Sequence, residues 1–370
     1  MNELYIGLIS GTSADGIDAA LVDFSQPRPC IVATHYVSYS LLIREKIFAL
    51  YEKGENEIQR LGELDILLGQ AFAEAVITLL KQQSLPPTSI KAIGSHGQTI
   101  RHYPHAPYRF TVQVGDPNTI ACETGITTIA DFRRKDMAYG GQGAPLVPAF
   151  HHYLFSSAMT DRVIINIGGI ANITVLPKKN VESIIGFDTG PGNTLLDAWI
   201  HLHQSKKQDD GGKWGAQGKV QPDLLEHLLS DIYFQQAPPK STGREYFNLV
   251  WLQKKLSALK TEISPVDVQA TLVEFTALTI ILSIRQQLPS AEILVCGGGT
   301  HNHYLMSRLQ EIAKPQFIVS STQEFGVDPD WVEAIAFAWL ARQTLHHQPG
   351  NLPSVTGAQK AAILGGVYYA

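Results

Sequence analysis

The sequence predicts an α/β protein of two lobes, each built on a mixed sheet, rather than one doubly wound parallel sheet. Three observations carry that expectation. Apolar runs of strand length alternate with stretches of helical periodicity along all 370 residues, a length that suggests roughly two domains. Some neighbouring strands are joined only by a tight glycine turn, which makes antiparallel pairs beside the parallel pairs that helical crossovers make. The second half also restarts the pattern of the first: strand, glycine turn, return strand.

In order, Leu4 to Ser10, Ile17 to Phe24 and Cys30 to Ser40 read as strands, rich in β-branched residues and Tyr. Glu57 to Gln83 carries Leu61, Leu64, Leu67, Leu68 and Phe72 at helical spacing. Lys91 to Ser95, Phe110 to Val114 and Thr127 to Ala130 read as further short strands. The texture changes at Asp136 to Pro148, where small residues cluster, and a domain boundary is expected near there: a first lobe over 1–134 and a second over 135–370, with the C-terminal segment able to pack back on the first. The second lobe opens with a strand at Arg162 to Asn166, the Gly168-Gly169 turn and a return strand at Ile173 to Leu176. An apolar run, Val181 to Phe187, leads into Asp188 and a helix. Ala291 to Cys296 is another strand, ending in three glycines before a helix from about His303. A last helix is expected over Asp330 to Leu340, with Trp331, Phe337 and Trp339 in the core.

Composition closes off several classes of function. Lys and Arg number 29 against 34 Asp and Glu, so the chain lacks the positive field of a phosphate-backbone binder, and no nucleic-acid partner is expected. The start has no basic segment ahead of an apolar one, so no signal peptide is expected. The most apolar stretch, Leu272 to Leu288, is interrupted by Glu274, Thr276, Thr279, Ser283 and Arg285, so no membrane span is expected. Cys30, Cys122 and Cys296 form no CxxC pair, which fits buried thiols in a reducing cytosol. The thirteen histidines include no HExxH, and no protein metal-ligand set is assigned.

Four glycine-bearing turns follow strands. In the first, Gly11, Thr12, Ser13, Ala14, Asp15, Gly16, Ile17 and Asp18, glycines let backbone approach a phosphate and hydroxyls add donors. Its two acids would repel a bare phosphate, so a divalent cation must bridge them to it. Alone, the segment reads equally as an Asx-rich hairpin turn. The second turn, Gly168-Gly169 to Asn172, is by itself a plain hairpin. The third, Asp188 with Gly190, Gly192 and Asn193, sets a carboxylate at a strand end and just before a helix N-terminus, where backbone N–H groups could hold an anion; the plain alternative is a helix cap. The fourth, Gly297, Gly298, Gly299 to Asn302, could let a flat ligand lie on backbone, or simply connect strand to helix. None is a GxxxxGK[ST] loop and none a clean GxGxxG in a βαβ frame. Glycine hairpins in both lobes plus a strand-to-helix glycine turn suit a nucleotide clamped in a cleft between lobes.

The ordered series of such motifs resembles the anhydro-N-acetylmuramic acid kinase family. Ser10 to Asp18, Gly94 to Thr99, Ala130 to Arg133, Gly140 to Pro148, Phe187 to Asn193, Ser241 to Asn248, Val295 to Asn302 and Gly350 to Ala358 carry it, from residue 4 to about 366. The resemblance implies the actin, Hsp70 and sugar-kinase superfold, with two ribonuclease-H-like lobes, ATP and Mg2+ as cofactors, and a cytoplasmic homodimer acting in peptidoglycan recycling. It implies that Gly11 to Asp18 and the Asn166 to Asn172 turn hold phosphates, that Gly297 to Asn302 lies under the adenosine, and that Asp188 is the catalytic base. Such enzymes open 1,6-anhydro-N-acetylmuramic acid and phosphorylate it to N-acetylmuramic acid 6-phosphate.

An anhydro sugar has no free 6-hydroxyl, so water must attack C1 while O6 leaves toward phosphorus. A carboxylate suits the proton abstraction, as in an inverting glycosidase. The lactyl carboxylate of the sugar calls for a cation, for which Arg133 is chosen over Arg134, because the matching family Arg lies near substrate. His96, Gln98 and Thr99 could serve sugar hydroxyls, and Glu333 could face the cleft; each has a structural alternative. Ser205 to Asp210 is more polar than the resemblance leads one to expect, in a loop. The competing readings are an ordinary sugar kinase, a polyphosphate phosphatase of the same superfold, or an actin-like nucleotide switch without sugar chemistry.

Overall fold

The computed structural model describes residues 3–11 and 13–370, and its contacts divide the chain into two units, residues 1–154 with 331–370, and residues 155–330. In chain order the first unit contains β1 (Leu4–Ser10), β2 (Gly16–Asp23), β3 (Cys30–Ser38), α1 (Leu41–Tyr51), α2 (Glu57–Gln82), β4 (Ile90–Tyr103) and β5 (Phe110–Val114). It continues through α3 (Pro117–Thr124), β6 (Thr128–Ala130), α4 (Phe132–Ala138) and α5 (Val147–Phe155). The second unit holds β7 (Arg162–Ile167), β8 (Ile170–Leu176), β9 (Ile185–Pro191), α6 (Thr194–Gln204), α7 (Pro222–Leu229) and α8 (Leu249–Ser257). It closes with α9 (Pro265–Arg285), β10 (Ala291–Cys296), α10 (His303–Ala313) and β11 (Phe317–Ser321). The chain then returns to the first unit with α11 (Val332–Leu345), α12 (Pro353–Thr356) and β12 (Gly366–Tyr368).

The boundary expected after residue 134 falls inside the first unit, which runs to Leu154 before the chain crosses over. The small-residue stretch that suggested it is held in that unit by one buried side chain. The Asp136 carboxylate accepts hydrogen bonds from Gly143 N–H (2.8 Å), Asn351 Nδ2 (2.6 Å) and Thr356 Oγ1 (2.7 Å). Its neighbour Gly141 has no room for a side chain, since a Cβ there would lie 2.1 Å from Asp136 Oδ2.

Both sheets carry one topology. In the first, β1, β2 and β3 form an antiparallel meander, and β4 and β6 extend it in parallel on the other side of β1. The second repeats this with β7, β8 and β9 as the meander and β10 and β11 as the parallel extension. That order, 3-2-1-4-5, is the ribonuclease-H-like arrangement, so the protein is an α/β chain with two such sheets. β5 and β12 add antiparallel edges to the first.

Packing follows from the sequence. On one face of the first sheet, α2 buries Leu64, Leu68, Phe72, Val76 and Leu79, spaced three and four apart, so a single stripe meets the core. On the other, α11 is apolar almost all round and lies at backbone contact distance. A Cβ on Gly7 would come 1.8 Å from Ala334 O, and one on Gly94 2.0 Å from Phe337 O. Only glycine on the strands, with alanines on the helix, permits that approach. In the second unit, α9 starts at Ser264, whose hydroxyl caps Asp267 N–H, and Pro265 occupies the first turn. Contrary to the expectation from its polar interruptions, this helix is long and apolar enough to cross a membrane by length and composition. Most of it is buried within the protein, as befits a core helix. Of the three thiols expected to be buried, Cys296 is, but Cys30 and Cys122 are exposed.

Candidate functional site

In the first unit the β1–β2 turn is held by its own backbone. Ala14 is buried in the left-handed region (φ 50°), and its N–H donates to Gly11 O at 3.1 Å. Thr12 lies outside the described residues. Ser13 Oγ donates to Asp15 Oδ1 at 2.6 Å, and Asp15 O accepts Tyr39 N–H. Asp15 is exposed and Asp18 half-buried, so both acids can meet solvent-borne ligand, while Ile17 is wholly in the core. Gly16 is sterically required, because a Cβ would stand 2.4 Å from Val37 O.

Gln98, expected to touch sugar, is fully buried behind this turn. Its Oε1 accepts Ser10 Oγ (2.5 Å), and its Nε2 donates to Gly11 O (3.2 Å) and Tyr51 Oη (3.1 Å). Its amide therefore fixes the turn instead of presenting to a ligand. His96 and Arg133 are brought together. The Nδ1 of His96 lies 2.9 Å from Gly97 O, and its Nε2 faces Arg133 Nε (3.1 Å) and Nη2 (2.8 Å). A neutral ring with its proton on Nδ1 satisfies both contacts. Burial, then the Arg133 charge, hold the His96 pKa well below the usual imidazole range, which enforces that neutral form. Burial brings Arg133 down to about 10, opposed by the Glu333 and Asp136 carboxylates, so it stays a cation at neutral pH. Its Nη1 donates to Gly143 O at 2.8 Å. Glu333 sits in the first turn of α11 with surface open to solvent; crowding by protein still raises its pKa, against the pull of Arg133.

In the second unit, Gly168 and Gly169 turn β7 into β8. Gly168 O accepts Asn193 N–H (2.9 Å), and Gly169 O accepts the N–H of Gly192 (2.9 Å) and Thr194 (3.0 Å) and the Thr194 hydroxyl (2.8 Å). The α6 N-terminus is thus tied to the hairpin. These N–H groups, expected to be open to an anion, are already engaged. Gly192 is fixed by that closeness, for a Cβ would lie 2.4 Å from Gly168 O.

Asp188 lies on β9 in register with Asn172 of β8. Its N–H donates to Lys240 O (3.1 Å), its O accepts Tyr233 Oη (2.7 Å), and its Oδ2 accepts Thr242 N–H (3.0 Å). Among the described residues Oδ1 accepts nothing. Burial raises the carboxyl pKa to about 6; the Thr242 N–H opposes this and the Glu245 charge adds to it. Asp197, on α6, also reaches about 6 by burial, with Arg244 pulling it down. Ordinary carboxylates titrate near 3.8, so these two stand in the range where a general base works.

Gly297 to Asn302 curls against β7: a Cβ on Gly299 would be 2.3 Å from Ile167 Cγ2, and one on Gly297 2.3 Å from Asn166 Oδ1, whereas one on Gly298 would meet nothing. Gly298, Asn302, Asn193 and Asp197 line a small cavity of about 80 Å³ together with Gln208 and Asp209. The polar segment beginning at Ser205 is therefore part of this wall, which its composition alone did not reveal. Its shape is held by Asp209, which accepts Trp214 and Gly215 N–H. Sequence reasoning also gave no role to Tyr233, Thr242, Arg244 and Glu245, although Ser241 to Asn248 stood out as a motif.

A family model described as anhydro-N-acetylmuramic acid kinase matches residues 3–370. A protein of that name from Coxiella burnetii (strain RSA 493 / Nine Mile phase I) is 55% identical over 368 residues, covering 99% of this chain and 98% of its own. Others bearing the name, from Saccharophagus degradans and Shewanella sp. (strain W3-18-1), are 53% and 51% identical; the alignments cover 99% and 100% of this chain and 98% and 99% of those proteins.

Proposed function

The chain belongs to the anhydro-N-acetylmuramic acid kinase family, and we propose that it opens 1,6-anhydro-N-acetylmuramic acid with water and phosphorylates O6 at the expense of ATP. The products are N-acetylmuramic acid 6-phosphate and ADP, and the reaction serves peptidoglycan recycling. The observation that carries the reading is Asp188: a half-buried carboxylate with a pKa near 6, one oxygen held by Thr242 N–H and the other without a partner among the described residues.

Asp188 takes a proton from water on Oδ1 while Oδ2 stays pinned, so the base keeps one orientation. The water oxygen bonds C1, the C1–O6 bond breaks, and O6 bonds the γ-phosphorus as its bond to ADP breaks. The departing O6 needs no protonating acid, because phosphorus receives its electron pair. Arg133, a cation that His96 and Gly143 O hold in place, binds the lactyl carboxylate. Phosphates lie against the glycine turns at Gly11 and Gly168, where a side chain would meet almost nothing, and the base of the nucleotide against Gly298. Asp15 and Asp18 would hold a Mg2+ ion arriving with ATP, which would supply charge neutralisation to the phosphates. A cytoplasmic homodimer belongs to the same reading.

In oxygen-18 water the label appears at the anomeric oxygen of the product and not in its phosphate. Label in the phosphate removes this mechanism.

A further inference from the structure

The Ser241–Asn248 loop has a use that the reaction above leaves unassigned. Both its ends are anchored. Lys240 Nζ donates to Tyr233 O (3.2 Å), Tyr246 Oη to Asp231 Oδ1 (2.7 Å), and Phe247 is fully buried in the core of the second unit. Asn248 Nδ2 folds back onto the carbonyls of Arg244 (3.3 Å) and Glu245 (3.0 Å). The tip closes on its own backbone. A Cβ on Gly243 would lie 2.1 Å from the Glu245 carboxylate, and Gly243 O accepts the N–H groups of Tyr246 and Phe247.

From this fixed base the Arg244 side chain reaches the β7–β8 hairpin. A Cβ added to Gly169 would stand 2.8 Å from the Thr194 hydroxyl, 3.1 Å from Arg244 Nη2 and 3.3 Å from its Nε, so the exposed guanidinium lies directly beside the hairpin glycine. Its charge reaches the Asp197 carboxyl, whose pKa it pulls down, but among the described residues the guanidinium donates no hydrogen bond and makes no ion-pair contact. A planar cation with uncommitted donors beside a glycine turn suits a phosphoryl group, which takes two parallel N–H bonds.

We propose that Arg244 is a catalytic residue that neutralises the phosphoryl group in transfer, and that the Ser241–Asn248 loop holds it and the Asp188 carboxylate in one rigid piece. This rests on the kinase reading above. An arginine so placed is worth roughly 10³-fold or more in phosphoryl transfer.

Three variants test it: R244Q, R244K and R244A. R244Q is expected to lower turnover roughly 10³-fold and R244K to recover only part, because an ammonium lacks the fork. Guanidinium ion at millimolar concentration is expected to raise the turnover of R244A. Calorimetry supplies a readout free of turnover: R244Q should bind ADP with beryllium fluoride far more weakly than wild type, yet bind ADP alone almost normally. Turnover of R244Q within about threefold of wild type, or equal loss of both nucleotide complexes, overturns the assignment. A wild-type protein that binds ADP with beryllium fluoride but phosphorylates no anhydro sugar would instead refute the substrate, leaving the Arg244 result to be judged by calorimetry.

Discussion

Replacing Asp188 by Asn separates catalysis from stability at one position. Asn keeps the shape, and its amide oxygen can still accept Thr242 N–H, but it cannot take a proton. Turnover should fall roughly 10²- to 10⁴-fold. Stability should move the other way. The folded carboxyl titrates near 6 and the unfolded one near 3.8. As pH rises, the unfolded chain loses this proton first, so the folded state is destabilised through that window, and the cost is complete above about pH 6. Two pH units correspond to about 3 kcal/mol. Because the side chain is only half-buried, solvent screening brings the working figure to about 1–2 kcal/mol. Urea unfolding of D188N and wild type should therefore give equal stabilities near about pH 4, and a D188N advantage of about 1–2 kcal/mol near about pH 7.5. In parallel, wild-type kcat/KM should decline below about pH 6 with unit slope, and the variant's residual rate should lack that limb. Near-normal turnover in D188N would place the base elsewhere. An advantage as large at pH 4 as at pH 7.5 would refute desolvation as the source of the raised pKa.

Glu245→Gln removes a negative charge that raises the Asp188 pKa. The acid limb of kcat/KM should move to lower pH, so the variant outpaces wild type on the acid side, and the two should converge at alkaline pH. A limb that moves upward would mean that the two carboxylates do not interact. Asn351→Leu deletes one of three donors to the buried Asp136 carboxylate. It should lower stability by about 2–3 kcal/mol, read as a lower urea midpoint with unchanged slope. An unshifted midpoint would show that the carboxylate does not depend on that contact.

Legibility in the sequence tracked how local the cause was. β1 (Leu4–Ser10) and β10 (Ala291–Cys296) were readable to the residue because each is a mostly apolar run buried along nearly its whole length. α2 was readable because its stripe has helical period. β4 was read only to Ser95 but runs to Tyr103; its second half, Gln98 to Tyr103, is polar and pairs with β5, which no local pattern announces. α1 went unseen: Ser40 caps it, but Leu41 and Leu42 are exposed, so its apolar residues mark no buried stripe. The boundary near 135 misled because small residues there pack around Asp136 with partners more than two hundred positions away. In the site, the glycine turns and Asp188 were legible as motifs. That Gln98 is a strut and Arg133 lies on His96 was not, since hydrogen-bond saturation is a property of three-dimensional neighbours.

The return of the chain to its first unit sets an order of events on the ribosome. Residues 155–330 are complete before α11 has been translated, yet α11 is the helix against which Gly7 and Gly94 close. The earliest strands to emerge therefore wait, with one face uncovered, until the middle of the protein has been made. The later-translated unit is the first that can fold whole, and the opening segment of the polypeptide is among the last to gain its full cover.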